Sequence, residues 1–291
     1  MKLGLFGINL DVCGRDPVVL AQVAAAAEHA GWESVWTGEH YVLPAEFTPP
    51  APAPADTPML DPFVALAMVA ANTSTLLLGT GVTVVPLHQP LALAKRVASL
   101  DVVSGGRFLF GVGVGYLEPE FRALAAPFDR RGDRLMDHLA AMHAIWTKAG
   151  LNGVRAEPRP VQTPGPPLHF GGYVEATYRR AVTQGHGWYG YALDLAQTEQ
   201  CLTRLHTVAD RIQRPSELPP LEVSVTPNPR MPLDQQTLAR LGELGVDRLI
   251  LLPPRDVRND ADSLLRFIEE EPARLRAAHS GSPSATAPST N

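Results

Sequence analysis

The sequence lacks the features that would tie it to a secreted or membrane-bound role. Its only two cysteines, Cys13 and Cys201, lie far apart and match no zinc or thioredoxin spacing, so we expect free thiols in a reducing compartment. No apolar run approaches the roughly 20 residues that a membrane-spanning helix needs, and no charged leader precedes the first strand-like segment. We therefore expect a cytoplasmic protein without membrane contact.

A block of charge of one sign is also missing. The 25 Lys and Arg residues and the 30 Asp and Glu residues are scattered along the chain and leave a net charge of -5. Because a protein that follows a phosphate backbone needs a basic patch, we predict no nucleic-acid partner. We also predict no metal site, since His138 and His143 are five positions apart and do not share a helix face.

What the sequence does contain is a regular alternation of strand-like and helix-like segments. Apolar residues make up 45% of the 291 positions, enough for a large buried core. Short segments rich in Val, Ile and Leu alternate with amphipathic stretches of helical length. The predicted strands are 2–8, 34–38, 76–85, 107–115, 167–172, 186–190, 221–227 and 247–254. The predicted helices are 17–30, 62–72, 90–103, 131–148, 174–184, 195–212, 233–244 and 261–277.

Eight strand–helix units predict an α/β fold, a (β/α)8 TIM barrel that forms a single domain over residues 1–276. A doubly wound open sheet is the alternative. The tail, residues 277–291, has almost no large apolar side chains, so we expect it to be disordered. In such barrels the active site lies in the loops after the strands. The proline-rich loop between Pro44 and Pro58 follows the second strand and is either a stiff wall over the site or an exposed excursion.

Glycines cluster at the end of the fourth predicted strand, where GVGVG spans 111–115. A dinucleotide-binding fingerprint needs a third glycine and a position in the first βα turn, so that interpretation does not apply. Small residues at a strand end instead allow a backbone and a flat or bulky ligand to approach closely. The cluster therefore predicts a ligand site at this end of the barrel.

Several segments together resemble the luciferase-like monooxygenase superfamily, in particular its branch that uses the deazaflavin coenzyme F420. They are WTGEH at 36–40, LGTGVTVVP at 78–86, AKRVASLDVVSGGRFLFGVGVGYLEPEF at 94–121, RRGDRLMDHLAAMHAIW at 130–146, PRPVQTPGPPLHFGG at 158–172 and GVDRLILLPP at 245–254. The similarity covers essentially residues 1–275. It implies an oxidoreductase with a small-molecule substrate, a homodimer, and a reduced flavin or deazaflavin at the C-terminal mouth of the strands.

Within this resemblance, His40 matches the histidine that the family places after strand two, beside the reactive edge of the ring. Imidazole titrates near neutral pH, so His40 is the predicted catalytic residue, which hydrogen-bonds or exchanges a proton with the reacting centre. The alternative is a structural histidine that caps a loop. The preceding Glu39 is a weaker candidate, for holding the imidazole tautomer or meeting substrate, because adjacent side chains often diverge.

The resemblance also implies which residues contact the cofactor. Gly81 and Val82 match a non-proline cis peptide in a bulge against the ring, a bond usually kept at functional sites; the alternative is a glycine that makes room for packing. Gly171 and Gly172 match the turn that receives the cofactor phosphate. The next residue is Tyr173, where the family commonly has Ser, Thr or Asn. The remaining predicted cofactor contacts are Gly113, Val114 and Gly115.

Two departures from the family pattern bear on cofactor and substrate. Luciferases carry an arginine at the position of Val114, and loss of its contact with a flavin phosphate should weaken binding of flavin mononucleotide (FMN) by roughly 1.5–3 kcal/mol. We therefore predict coenzyme F420, with FMN as the alternative. The glutamate of sugar-phosphate dehydrogenases is Tyr116 here, so we do not expect that substrate class. Tyr116, Glu118 and Glu120 either meet the substrate or belong to an ordinary helix start.

Three functions remain open on these grounds. The first is an F420-dependent oxidoreductase that transfers a hydride between carbon five of the deazaflavin and a small or medium organic substrate. The second is a luciferase-like monooxygenase that uses reduced FMN and O2. The third is a non-catalytic flavin-binding barrel protein, which the fold alone does not exclude.

Overall fold

The computed structural model describes residues 1–280. The strands are β1 (Lys2–Phe6), β2 (Ser34–Thr37), β3 (Leu77–Thr80), β4 (Thr83–Val84), β5 (Phe108–Gly113), β6 (Leu168–Gly171), β7 (Gly187–Leu193), β8 (Glu222–Pro227) and β9 (Arg248–Leu251). The helices are α1 (Pro17–His29), α2 (Pro62–Asn72), α3 (Pro90–Val103), α4 (Glu118–Ala123), α5 (Arg131–Trp146), α6 (Glu175–Gln184), α7 (Leu195–Arg211), α8 (Gln235–Glu243), α9 (Arg255–Asn259) and α10 (Ala261–Ser280).

The strands close into a parallel barrel. Their order is β3-β2-β1-β9-β8-β7-β6-β5-β4, and an additional pairing between β3 and β5 closes the ring. Since β3 and β4 both pair with β5, they are two segments of one barrel strand. At the seam between β1 and β9, Gly4 pairs with Ile250. The predicted single-domain (β/α)8 barrel is confirmed, and the open-sheet alternative is wrong.

Helix starts follow from short polar side chains placed before proline. The carboxylate of Asp16 accepts the N–H groups of Val18 and Val19 at the start of α1, and Pro17 occupies the first turn. Asp61 caps α2 in the same way, ahead of Pro62. A carboxylate at the N-cap satisfies otherwise unpaired amides, and proline fits the first helical position because its missing N–H is not needed there. These caps set where each helix leaves the strand that precedes it.

Large side chains fill the barrel bore toward the amino ends of the strands. The rings of Trp36 and Tyr189 stack with centroids 5.7 Å apart and an interplanar angle of 11°. The imidazole of His169 meets the indole edge-on at 5.9 Å. All three side chains are buried. This end of the bore is therefore packed, and the large cavity described below opens toward the carboxyl ends of the strands.

A buried charge cluster completes the packed end. Arg248 is 1% exposed, and its guanidinium pairs with the carboxylates of Glu33 and Glu222. A buried cation needs such partners, since an unpaired one would lose its hydration without compensation. Burial lowers the pKa of the neighbouring His169 to about 3, an effect that the charge of Glu222 opposes and that of Arg248 reinforces. His169 is therefore neutral at physiological pH.

The structure departs from the predicted elements in several places. The predicted strand 76–85 is two segments followed by a 3₁₀ turn at Val85–Leu87. The short helix α9 was not predicted, and α4 begins at Glu118, where a helix start was one of two interpretations of the sequence. The last strand ends at Leu251, three residues earlier than predicted, because Pro253 and Pro254 have no N–H to donate to a sheet.

The C-terminal helix runs longer than the sequence suggests. α10 continues to Ser280, so the first four residues of the predicted tail 277–291 are helical, and its remainder lies outside the described residues. Alanine at 277 and 278 favours this extension, since alanine has the highest helix propensity. Between residues 1 and 280, no helix is both long and apolar enough to cross a membrane.

Candidate functional site

A cavity of about 540 Å³ opens at the carboxyl ends of the barrel strands. This volume lies within the roughly 300–1,000 Å³ typical of small-molecule sites. Part of its wall comes from the proline-rich loop, including Pro52 and Thr57, which favours the wall interpretation of that loop. Of the residues singled out from the sequence, Glu118 does not line this cavity. Those that do are Glu39, His40, Gly81, Val82, Gly113, Val114, Gly115, Tyr116, Glu120, Gly171, Gly172 and Tyr173.

The imidazole of His40 is held by a carboxylate 80 residues away in the chain. Nδ1 of His40 lies 2.9 Å from Oε2 of Glu120. Oε1 of the same carboxylate accepts the backbone N–H of Tyr41 at 2.6 Å, and Glu120 is 2% exposed. A carboxylate beside Nδ1 favours the neutral tautomer that carries its proton on Nδ1 and leaves Nε2 as a proton acceptor.

Glu39 does not hold the imidazole of His40. Its Oε1 lies 3.0 Å from Nε2 of His88, and its Oε2 accepts the backbone N–H of Val84 at 2.6 Å. The expectation that Glu39 sets the tautomer is therefore wrong, because successive side chains on extended backbone point in opposite directions. Glu39 lines the cavity and anchors β4, and the contact with Nδ1 belongs to Glu120.

The sequence contained a pattern that indicates burial of Glu120, but the neighbouring acidic residue Glu118 made the segment resemble an ordinary helix start. Leu117, Glu120 and Phe121 have the spacing that places residues on one helix face, and all three are buried. An acid on an otherwise apolar face needs a buried partner. The helix-start interpretation holds for Glu118 alone, which is exposed and pairs with Arg122.

The peptide bond between Gly81 and Val82 is cis, as the family resemblance implied. The side chain of Val82 occupies the space that side chains at two neighbouring strand ends would need. A Cβ on Gly113 would lie 2.5 Å from Cγ2 of Val82, and one on Gly171 would lie 2.7 Å from Cγ1. These two glycines therefore admit Val82, which forms part of the cavity wall, rather than admitting a ligand directly.

The turn between β6 and α6 can receive an anion. No side chain caps the helix at Val174, so the first backbone N–H groups of α6 can donate to a bound anion. The hydroxyl of Tyr173 is already engaged, because it donates to the carbonyl of Tyr191 and accepts the N–H of that residue at 2.9 Å. The side chain at 173 thus supports an irregular point of β7, and an anion at this turn would rely on backbone donors.

Tyr116 stands beside the catalytic candidate. Its ring meets the imidazole of His40 edge-on, with centroids 5.9 Å apart and an interplanar angle of 82°. Burial raises the pKa of Tyr116 to about 12, helped by the charge of Glu120, so the phenol stays neutral and can donate a hydrogen bond. Among the residues that the structure describes, no group of three or more His, Cys, Asp or Glu side chains could hold a metal ion.

Comparison with known proteins assigns the family. A family model described as luciferase-like monooxygenase matches residues 14–231. The chain belongs to the luciferase-like monooxygenase family. Its predicted membership is confirmed, and members of this family are oxidoreductases whose cofactor is a flavin or a deazaflavin.

Individual relatives of this luciferase-like chain use different cofactors. It is 29% identical over 290 residues to an uncharacterized protein of Mycobacterium tuberculosis, covering 93% of this chain and 98% of that protein. It is 27% identical over 176 residues to the oxygenase component of the flavin-dependent trigonelline monooxygenase of Acinetobacter baylyi, covering 57% of this chain and 46% of that protein. An F420-dependent secondary alcohol dehydrogenase solved with an F420–acetone adduct superposes with a TM-score of 0.68 at 14% identity, covering 92% of this chain and 98% of that one. That superposition supports the fold alone.

Proposed function

We propose that this luciferase-like protein is a coenzyme F420-dependent oxidoreductase that transfers a hydride between carbon five of the deazaflavin and a small or medium organic substrate. The observation that carries the proposal is the pair of His40 and the buried Glu120 in the cavity wall. A carboxylate that fixes the tautomer of an imidazole is the arrangement that general acid–base catalysis needs. A non-catalytic carrier of a flavin would not need it.

The cavity offers contacts for each part of such a cofactor. Val82 and the backbone at Gly113 and Gly115 would hold the ring, and the N–H groups that follow Gly171 and Gly172 would hold the phosphate. When bound, the deazaflavin supplies the hydride chemistry.

The side chains around the ring site would hold or accept a proton and would exclude water. His40 would hold or accept a proton at Nε2 while Glu120 keeps its Nδ1 protonated. Tyr116 would donate a hydrogen bond to substrate. The apolar lining would exclude water from the reacting atoms, which strengthens these polar contacts.

The charge of the cavity favours the deazaflavin over FMN. The phosphate of F420 is a singly charged diester, whereas a phosphate monoester such as that of FMN carries about 1.5 to 2 negative charges at neutral pH. Val114 offers no charge to either, and within residues 1–280 the only Lys or Arg lining the cavity is Arg258. The lack of a positive charge at position 114 should therefore weaken the binding of FMN more than that of F420.

FMN with O2 is the second candidate, because the Acinetobacter baylyi relative is named a flavin-dependent monooxygenase. The two candidates differ in an observable way, since a deazaflavin does not activate oxygen as a reduced flavin does. Consumption of O2 by protein supplied with reduced FMN separates them.

Titration of the purified protein with oxidised F420 and oxidised FMN tests the proposal. We expect F420 to bind with micromolar or better affinity and FMN at least tenfold more weakly. His40→Ala should keep F420 binding and lose most oxidation of reduced F420 by a panel of ketone and enone substrates. His206→Ala, an exposed position on α7, is the matched control and should behave as wild type.

Two outcomes would contradict the proposal. Tighter binding of FMN together with O2 consumption would assign the second candidate, and full activity of His40→Ala would remove His40 from its role. On the family resemblance we also propose a cytoplasmic homodimer. Light scattering should then give twice the chain mass of 31.3 kDa, and a mass of one chain would contradict it.

A further inference from the structure

Arg258 on α9 is a fixed cation in the cavity wall. Its Nε donates to Oδ2 of Asp11 at 2.7 Å, and its Nη1 donates to the carbonyl of Pro253 at 2.7 Å. The side chain of Arg258 is 13% exposed and that of Asp11 is 1% exposed. These two bonds leave the planar guanidinium in different directions, to a side chain and to a backbone carbonyl, and hold it in a single orientation.

The positive member of this ion pair faces the cavity. Arg258 lines the cavity and Asp11 does not, so the negative partner lies behind the positive one. No acceptor for Nη2 of Arg258 is present among residues 1–280. A largely buried guanidinium normally finds acceptors for its N–H groups. The loop that carries Asp11 is already tied to α9 by a backbone bond from Val12 to the carbonyl of Arg258, so loop attachment alone does not account for the side chain.

The walls next to Arg258 are apolar. A Cβ placed on Gly7, at the end of β1, would lie 3.2 Å from the side chains of both Leu10 and Leu252 and 3.7 Å from Cδ of Arg258. Leu10 and Leu252 also line the cavity. A single cation set between leucine side chains matches a ligand with one negative charge on an apolar body.

Tyr191 adds a neutral donor in the same region. Its ring centroid lies 5.2 Å from that of Phe6, and both residues line the cavity. Burial raises the pKa of Tyr191, and the charge of nearby Arg258 offsets part of that rise. The phenol therefore stays protonated near neutral pH, where it can donate to an anion beside the guanidinium.

We infer that the substrate of this site is an organic acid with an apolar body, whose carboxylate is bound by the Nη2 edge of Arg258. Guanidinium and carboxylate form charge-assisted hydrogen bonds of matching geometry. The body of the acid packs against Leu10 and Leu252, and the hydroxyl of Tyr191 supplies a further donor. This inference rests on the proposed function, because it names the substrate class of the same cavity.

Benzoate and benzamide form a matched pair of probes, since they share a shape and differ in charge. Their affinities are measured by calorimetry on the full chain, first without cofactor and then saturated with oxidised F420. Wild type should bind benzoate at least tenfold more tightly than benzamide. Arg258→Gln should abolish that difference, and Arg255→Gln, at an exposed position of the same helix, should keep it.

Asp11→Asn separates ligand binding from loop attachment. It weakens the ion pair but leaves the cation in place, so it should lower the melting temperature and keep the preference for benzoate. Equal affinities for the two probes in wild type, or a preference that survives in Arg258→Gln, would overturn the inference. So would a loss of F420 affinity in Arg258→Gln with the preference unchanged, because Arg258 would then be a cofactor contact. If F420 does not bind wild type but the benzoate preference is present without cofactor, the proposed function fails and the acid site stands.

Discussion

Replacing Glu120 with glutamine should invert the tautomer of His40. In the native chain, one carboxylate oxygen faces Nδ1 of His40 and the other accepts the N–H of Tyr41. A glutamine side chain offers one oxygen and one NH2 group. The Tyr41 amide can only donate, so the oxygen stays with it and the NH2 group faces Nδ1. Nδ1 must then accept, and the proton moves to Nε2.

The geometry of the pair sets the size of the effect. The contact is 2.9 Å long and its carboxylate is almost inaccessible to water, so solvent does not relieve a clash of two donors there. Hydrogen bonds to charged groups are worth about 1.5–3 kcal/mol, which corresponds to a change of ~10–150-fold in the ratio of the two tautomers. Nitrogen-15 shifts of labelled histidine, recorded above the pH at which imidazole titrates, report that ratio, and His40→Gln assigns the signal.

Glu118→Gln is the matched control for this experiment. It makes the same chemical change in the same short helix, but at an exposed carboxylate that pairs with Arg122. Its histidine spectrum should be that of wild type. Retention of the Nδ1–H tautomer in Glu120→Gln would refute the argument that Glu120 sets the protonation of His40, and with it the main support for acid–base chemistry at this site.

Substitutions at three further places test other parts of the barrel. Gly113→Ala should lower the melting temperature, because its Cβ would lie 2.5 Å from Cγ2 of Val82, and adding Val82→Ala should recover most of the loss. Burial lowers the pKa of His169 from 6.5 to about 3; between these pH values only the unfolded chain takes up the proton. The contribution of His169 to stability should therefore fall by at most ~1.4 kcal/mol per pH unit on acidification through this range, and His169→Leu should remove that part of the slope in urea unfolding. Glu39→Gln should cost ~1–3 kcal/mol of unfolding free energy, because Val84 and His88 share its buried carboxylate.

Each of these predictions has an outcome that would contradict it. Additive losses in the double variant would show that Val82 does not exclude a side chain at 113. An unchanged acid slope in His169→Leu would mean that other groups carry the pH dependence. Wild-type stability of Glu39→Gln would show that the carboxylate contributes nothing to holding β4.

The barrel was predictable because its signals are local and repeated. Each strand is a short apolar segment, and two helices begin where an Asp precedes a Pro, at Asp16 and Asp61. These patterns depend only on neighbouring residues. The break between β3 and β4 was harder to predict, since the residues there have the same composition as a continuous strand.

The site was predictable only as far as the family resemblance reached. His40 and the glycines at the strand ends lie within short sequence motifs, so their place in the site can be recognised from the sequence alone. The partner of His40 is 80 residues away and the partner of Asp11 is 247 residues away. Such pairs depend on strand register and loop conformation, which no short pattern encodes. The same dependence explains why Glu39, although adjacent to His40 in the sequence, contacts Val84 and His88 and not the imidazole of His40.

The packed bore beneath the cavity governs how ligands exchange. Trp36, Tyr189 and His169 block passage through the barrel, so the chamber is blind at its base. If a cofactor and a substrate share this cavity as proposed, both would enter and leave through its open end. The proline-rich loop contributes Pro52 and Thr57 to the cavity wall, so a substitution there would then be expected to alter the release of both molecules.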